Sequence, residues 1–258
     1  MNIVVCYKVT PDAEDIETKS DRSISVERAE WNIGEYDLMA VEAGVALAES
    51  AGGAVSALSV GTKRVSASKA KKDILSRGPD DLYLVADDAL AVVDTATTAS
   101  LLAKAIGKRG EYDLVICGEG SSDMYFQQVG LQLGERLGVP TVNAVSKIEL
   151  EDGKLVVERS LEGEVQVLEV PLPAVISVTT DINQSRLPSM KEILKAGKKP
   201  STEWSLSDVE ASADEDRGVV VLSSLAPPTV DRKRVLITEE PDKAVVTLIG
   251  YLSKEGVL

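Results

Sequence analysis

The run Gly118-Glu119-Gly120-Ser121-Ser122-Asp123 gathers groups suited to holding an anion. Glycines allow tight turns, serine hydroxyls donate to phosphate oxygens, and a helix starting just beyond would add its free N–H groups. The run is neither a Walker loop nor a GxGxxG fingerprint, so it points to an anionic ligand without naming one. Glu119 and Asp123 could also act as paired carboxylates, but nothing else in the sequence supports hydrolysis. Helix N-capping and ribose hydroxyl binding suit Asp123 better. Ser59-Val60-Gly61-Thr62 offers a glycine and hydroxyls to a nucleotide or phosphate, but taken alone it reads first as an ordinary strand-to-helix turn. In Ile33-Gly34-Glu35-Tyr36-Asp37, Asp37 is placed to cap the next helix, and Tyr36 supplies a ring for a nucleotide or for packing.

What is missing narrows the chemistry further. The 258 residues contain no histidine, which removes His-based triads, the commonest general base and nearly all catalytic zinc sites. Cys6 and Cys117 lie too far apart for CxxC chemistry and read as two reduced core thiols. No catalytic residue and no metal ligand is assigned. With 28 basic against 42 acidic residues, a net charge of −14 and 3% aromatics, nucleic-acid binding is disfavoured. No apolar run approaches the roughly 18 residues needed to span a bilayer, so no membrane insertion is expected. The opening MNIVVCYKVTPD carries no basic leader, and a cytoplasmic location is the expectation.

The elements that must position these residues follow from hydrophobic pattern. Short β-branched runs at Ile3 to Tyr7, Ala54 to Val60, Leu82 to Val85, Leu114 to Cys117 and Ala174 to Val178 alternate with helical stripes, predicting an α/β domain with a parallel sheet. The stripes are Leu38, Val41, Val45, Ala48; then Ala99, Leu102, Ala103, Ile106; then Phe126, Val129, Gly130, Leu133, Leu137, closed by Gly138-Val139-Pro140. Alternation over Lys147 to Leu150, Lys154 to Arg159 and Val165 to Val170, with turns at Glu151-Asp152-Gly153 and Glu162-Gly163, predicts an added antiparallel meander. Lys63, Arg64, Lys69, Lys71, Lys72 and Arg77 read as a solvated helix face. Arg186, Lys191, Lys195, Lys198 and Lys199 instead surround Met190, Ile193 and Leu194, forming either a docking patch for an acidic partner or a helix capping its own core. Residues 1–204 are expected to form one α/β domain able to take a nucleotide. Residues 205–258, with the acidic run Asp208, Glu210, Asp214, Glu215, Asp216, then Ala226-Pro227-Pro228 and a helix over Ala244 to Leu252, form a C-terminal arm that needs another subunit to pack on.

Taken together, several segments resemble the β subunit of electron transfer flavoproteins, in its FixA-like branch. They are Val5-Cys6-Tyr7-Lys8, Glu35-Tyr36-Asp37 with Ala40-Val41-Glu42-Ala43, Leu58-Ser59-Val60-Gly61, and Asp73 through Asp80. Further on come Ser121-Ser122-Asp123 with Gln127-Gln128-Val129-Gly130, Leu172-Pro173-Ala174-Val175, and Arg186-Leu187-Pro188-Ser189-Met190 running to Pro200. The resemblance implies a Rossmann-like fold of the adenine nucleotide alpha hydrolase type and an obligate heterodimer. A FixB-like α subunit would hold the FAD, and AMP or a second FAD would lie within this chain. By matching position that nucleotide contacts Cys6, Gly34, Glu35, Tyr36, Asp37, Val60, Asp123, Met124, Gln127, Gln128, Val129, Gly130, Leu131 and Gly134. The segment 182–200 matches the family's recognition loop, with Met190 as anchor and Arg186, Leu187, Lys191 and Lys195 around it, for an acyl-CoA dehydrogenase or enoyl-CoA reductase-type flavoenzyme. Tyr125 stands where many members carry a second acidic residue, which leaves AMP and FAD both open. The Gly-x-Gly-Ser-Ser-Asp form resembles members linked to carnitine reduction, implying a crotonobetainyl-CoA reductase partner. The implied role is an electron carrier rather than an enzyme. A sensor resembling universal stress proteins is the second reading, but it should end near the fifth strand.

Overall fold

The structure, a computed structural model, describes residues 1–151, 153–214, 225–227 and 233–258. Along the chain, β1 (Asn2–Cys6) is followed by β2 (Val9–Pro11), β3 (Glu17–Thr18), β4 (Ile24–Ser25) and β5 (Trp31–Ile33), and then by α1 (Glu35–Ala51). Next come β6 (Ala54–Gly61), α2 (Ser68–Ser76), β7 (Asp81–Ala86), α3 (Thr95–Arg109), β8 (Leu114–Gly118) and α4 (Val129–Leu137). The meander β9 (Thr141–Glu151), β10 (Lys154–Leu161) and β11 (Glu164–Val170) leads to β12 (Ala174–Val178), α5 (Met190–Ala196), β13 (Ser201–Trp204) and α6 (Pro241–Lys254). Nine strands form one sheet in the order β11-β10-β9-β12-β8-β1-β6-β7-β13. Neighbours from β9 to β13 run parallel, while β9, β10 and β11 pair antiparallel. The expected parallel sheet and its meander are both present.

Alternation along β1 explains how the sheet is covered on both faces. Ile3, Val5 and Tyr7 bury into the core under α1, α2 and α5, whereas Val4 and Cys6 bury into the core under α3 and α4. The α1 stripe of Val41, Val45 and Ala48 lies in the first core; Ala99, Leu102 and Ile106 of α3 lie in the second. Each fully buried leucine or isoleucine contributes about 1.5–3 kcal/mol, so the two cores fix the strand ends from both faces.

Several expectations are corrected. Asp37 is not the cap of α1: Gly34 is the N-cap and Asp37 lies in the first turn. α4 begins at Val129, and Phe126 sits outside it, 54% exposed. The chain cannot wind into the helix earlier, because Tyr125 and Gln127 hold φ of 48° and 56°, in the left-handed region. The basic face of α2 and the turn before it is solvated as expected, with Lys63, Arg64, Lys69 and Lys72 exposed, and its charges are largely paired at the surface. Lys63 meets Asp88, Lys69 meets Glu30, Lys71 meets Glu203 and Arg77 meets Asp73, while Arg64 stacks over Trp31 at 4.2 Å. β13 adds an edge strand beside β7. The first residues of the arm stay on the domain: Val209 is buried in the α3 core, and Lys104 and Lys108 donate to the carbonyls of Glu210 and Asp208. Of the expected linker, Glu215, Asp216 and Pro228 lie outside the described residues, as does Asp152 of the meander turn.

Candidate functional site

From β1 the chain builds outward through β6 and β7, then returns to lay β8 on the opposite side of β1. The sheet order therefore reverses between β1 and β8, and the space beyond their carboxyl ends is the switch-point crevice in which open α/β sheets take ligands. β1 ends at Cys6 and β8 at Gly118. The two thiols are neighbours on adjacent strands, both buried and free. The Cys117 thiol beside it and burial push the Cys6 thiol well above its ordinary range, which keeps it an unreactive thiol.

Asp37 reaches these strand ends from α1. Its Oδ2 accepts the Lys8 N–H at 2.7 Å, and the Gly118 backbone lies against the carboxylate. Burial pushes it up to about 7, against the pull of the Lys8 N–H and of the Lys8 charge. Gly118 has no room for a side chain, because a Cβ there would stand 2.7 Å from Asp37 Oδ1 and 2.8 Å from the Tyr36 backbone.

Lys8 leaves β1 and extends over the crevice, its Nζ 2.7 Å from both oxygens of Asp123. Burial raises the Asp123 carboxyl, but the ammonium and its hydrogen bonds outweigh that and hold it below its usual range. Asp123 therefore caps no helix; it pairs with Lys8 and accepts the Met124 N–H at 2.9 Å. Ser122 Oγ accepts the Glu35 N–H at 3.2 Å, joining the loop to the start of α1. The Tyr125 ring lies 5.1 Å from the Tyr36 ring, and its hydroxyl donates to Glu119 at 2.9 Å. Glu119 is thus tied to a phenol and not to Asp123, so the two carboxylates form no acid/base pair.

On the α3 and α4 side, Val60 packs against the same core as Cys6 and Cys117. No side chain caps α4, leaving the N–H groups of its first turn, at Val129, Gly130 and Leu131, without a capping acceptor. Gln128 accepts the Thr95 hydroxyl at 2.9 Å, which links the starts of α4 and α3.

Most of the residues singled out from sequence therefore converge. Cys6, Gly34, Glu35, Tyr36, Asp37 and Asp123 cluster around the ends of β1 and β8, with Val60 beside them and Met124, Gln127, Gln128, Val129 and Gly130 on the path into α4. Leu131 is exposed on α4, and Gly134 faces Thr141 of β9, where a Cβ would fall within bonding distance of the hydroxyl. Lys8 was missed as a site residue. Its signal was a lysine directly after an apolar strand in an acidic chain.

The segment around α5 is a separate feature. Leu187, Met190 and Leu194 stand 90%, 74% and 71% exposed, so α5 does not cap its own core with them. Ser189 and Glu192 form a capping box that starts the helix. Arg186 is not a free rim charge: it pairs with Glu42 at 2.7 Å and Glu49 at 2.9 Å on α1. Lys199 donates to the carbonyls of Leu75, Gly78 and Pro79. Lys191, Lys195 and Lys198 remain around a shallow hollow with Leu194. Among the described residues no helix is long and apolar enough to cross a membrane, and no cluster of three or more carboxylates and thiols is placed to hold a metal.

Fold and crevice together define a Rossmann-like α/β protein whose ligand site would lie at the sheet's reversal. Residues 23–209 match the model of the electron transfer flavoprotein domain, and the chain belongs to the electron transfer flavoprotein family. Membership gives it an electron-transport role in a flavin-associated family.

Proposed function

We propose that the chain is the β-type, FixA-like subunit of an electron transfer flavoprotein, binding an adenine nucleotide in the crevice and helping to enclose a FAD held by a FixB-like α subunit. The observation that carries this reading is the convergence of Gly34, Asp37, Gly118, Asp123 and the uncapped start of α4 at the switch point. Those residues fit a nucleotide: the glycine at Gly118 keeps the floor open, and the first turn of α4 offers N–H groups to a phosphate. AMP or a second FAD would occupy the site. Bound flavin supplies the electron chemistry; the chain supplies orientation and backbone donors, so it needs no histidine.

The exposed Met190, beside a hollow that Lys191, Lys195 and Lys198 form with Leu194, suits an apolar pocket with an acidic rim on an acyl-CoA dehydrogenase or enoyl-CoA reductase-type flavoenzyme. A crotonobetainyl-CoA reductase in carnitine metabolism is the specific form of this proposal, with both proteins in the cytoplasm. The arm, with no buried residue on α6, would pack on the α subunit. The family match lends nothing to the stress-protein-like sensor.

Co-expression with the neighbouring α-subunit gene product, purification and extraction of nucleotides tests the reading. One FAD with one AMP indicates a simple carrier, and two FAD indicate a two-flavin mechanism. Release of neither flavin nor AMP from the complex defeats it.

A further inference from the structure

We infer that Lys8 selects a phosphate-bearing ligand: its ammonium, held over the crevice by Asp123, takes the anionic group of the nucleotide. The inference rests on the nucleotide reading above and adds a charged contact to it. Strand alternation sets the direction of the side chain. Tyr7 and Val9 are buried in the core under α1, α2 and α5, whereas Cys6 is buried in the core under α3 and α4. Tyr7 continues the pairing of β1 by one residue, its N–H donating to the Leu58 carbonyl at 3.0 Å. Lys8, between Tyr7 and Val9, therefore turns its side chain to the α3 and α4 side. Val60 and Val129 pack on that same side, so the ammonium overhangs the face on which α4 starts without a side-chain cap.

Charge gives this placement its meaning. Glu35 and Asp37 lie in the first turn of α1, and Glu119 and Asp123 lie in the loop after β8, so an anion entering among these carboxylates needs a cation beside it. Lys8 brings one. Its Nζ carries three N–H groups, and the two oxygens of Asp123, each at 2.7 Å, engage at most two of them. The pair is 46% and 26% exposed on its two side chains, so water screens it and the ammonium gives up little by taking a phosphate oxygen as well. Asp123 is itself fixed by its own loop, because its Oδ1 also accepts the Met124 N–H at 2.9 Å. The position of the ammonium is thus set before a ligand arrives. A phosphate oxygen gives it a charge-assisted bond, whereas a neutral nucleoside offers it only hydroxyls.

The ratio of AMP affinity to adenosine affinity tests this, measured by calorimetric titration on the full chain in the complex in which it purifies, after its own nucleotide is dialysed away. Adenosine has the same base and ribose without the phosphate, so any contact of Asp123 with the ribose cancels from the ratio. In Lys8→Met the ratio should fall about ten- to a hundredfold, the loss expected of one hydrogen bond to a charged group, and Lys8→Arg should recover most of it. Asp37 holds only the main-chain N–H of residue 8, so these substitutions leave that contact in place. Lys8→Met combined with Asp123→Asn should keep the low ratio. A ratio restored to the wild-type value in the double variant means that Lys8 only neutralises Asp123, and overturns the inference; an unchanged ratio in Lys8→Met overturns it equally. A wild type that binds neither AMP nor adenosine overturns the nucleotide reading itself, whereas one that binds both leaves that reading standing whatever Lys8 does.

Discussion

Gly118 is the point where a single atom can be felt. An added methyl group must displace either the Asp37 carboxylate or the Tyr36 backbone, and overpacking of this kind costs about 1–3 kcal/mol. Gly118→Ala should lower the thermal midpoint by several degrees, read by calorimetry, and disturb the Lys8 amide across the crevice. Lys8 makes a different prediction. Its ammonium neutralises Asp123, and removing it leaves that carboxylate half-buried without its cation. Lys8→Met should therefore return the Asp123 carboxyl toward or above its ordinary range, followed by carboxyl carbon chemical shifts; an unchanged titration would separate the two residues. Neither role was legible beforehand for a physical reason. Sequence pattern marks Asp37 and Asp123 as loop acids beside helix starts, where capping is the common use. Their actual partners are main chain and lysine from a strand far away in sequence, brought close only by the parallel sheet.

The elements were more legible than the contacts between them. β-branched runs bounded by turn residues located β1, β6, β7, β8 and β12, because a strand covered on both faces is a continuous apolar run. β13, Ser-Thr-Glu-Trp, escaped notice because an edge strand is apolar on neither side consistently; its place comes from backbone pairing to β7. The segment before α5 shows the same limit. Its charges looked like one basic rim, yet Arg186 is spent on α1 and Lys199 on the carbonyls at the end of α2, so α5 is held at both ends. Arg186→Ala leaves Glu42 facing no cation and frees the stem; trypsin should then cut at Lys191 and Lys195 faster than in the wild type. Met190→Ala, at a position 74% exposed, should change neither the cutting rate nor the melting point, and should slow electron transfer to a docked flavoenzyme if the proposed surface is right.

Over the whole molecule the acidic excess meets one acid that behaves against type. Asp37 is held up to about 7 when folded, whereas an unfolded aspartate titrates near about 4. Between those values only the unfolded chain gives up the proton, so this group's contribution to stability is full below about pH 4 and is lost as pH rises to 7. Asp37→Asn should flatten that decline in denaturant midpoints. Asp123 has the opposite sign: held below its ordinary range, it adds stability above that range and loses it in acid. The strand order bears on synthesis as well. β12 sits between β8 and β9, so the flank of β8 stays unpaired while the meander is being made, until residue 178 emerges. At translation rates of about 5–20 residues per second, the interval from the end of β8 lasts roughly 3–12 s. For that time the nascent chain carries a bare, apolar parallel edge, and chaperone demand should concentrate there.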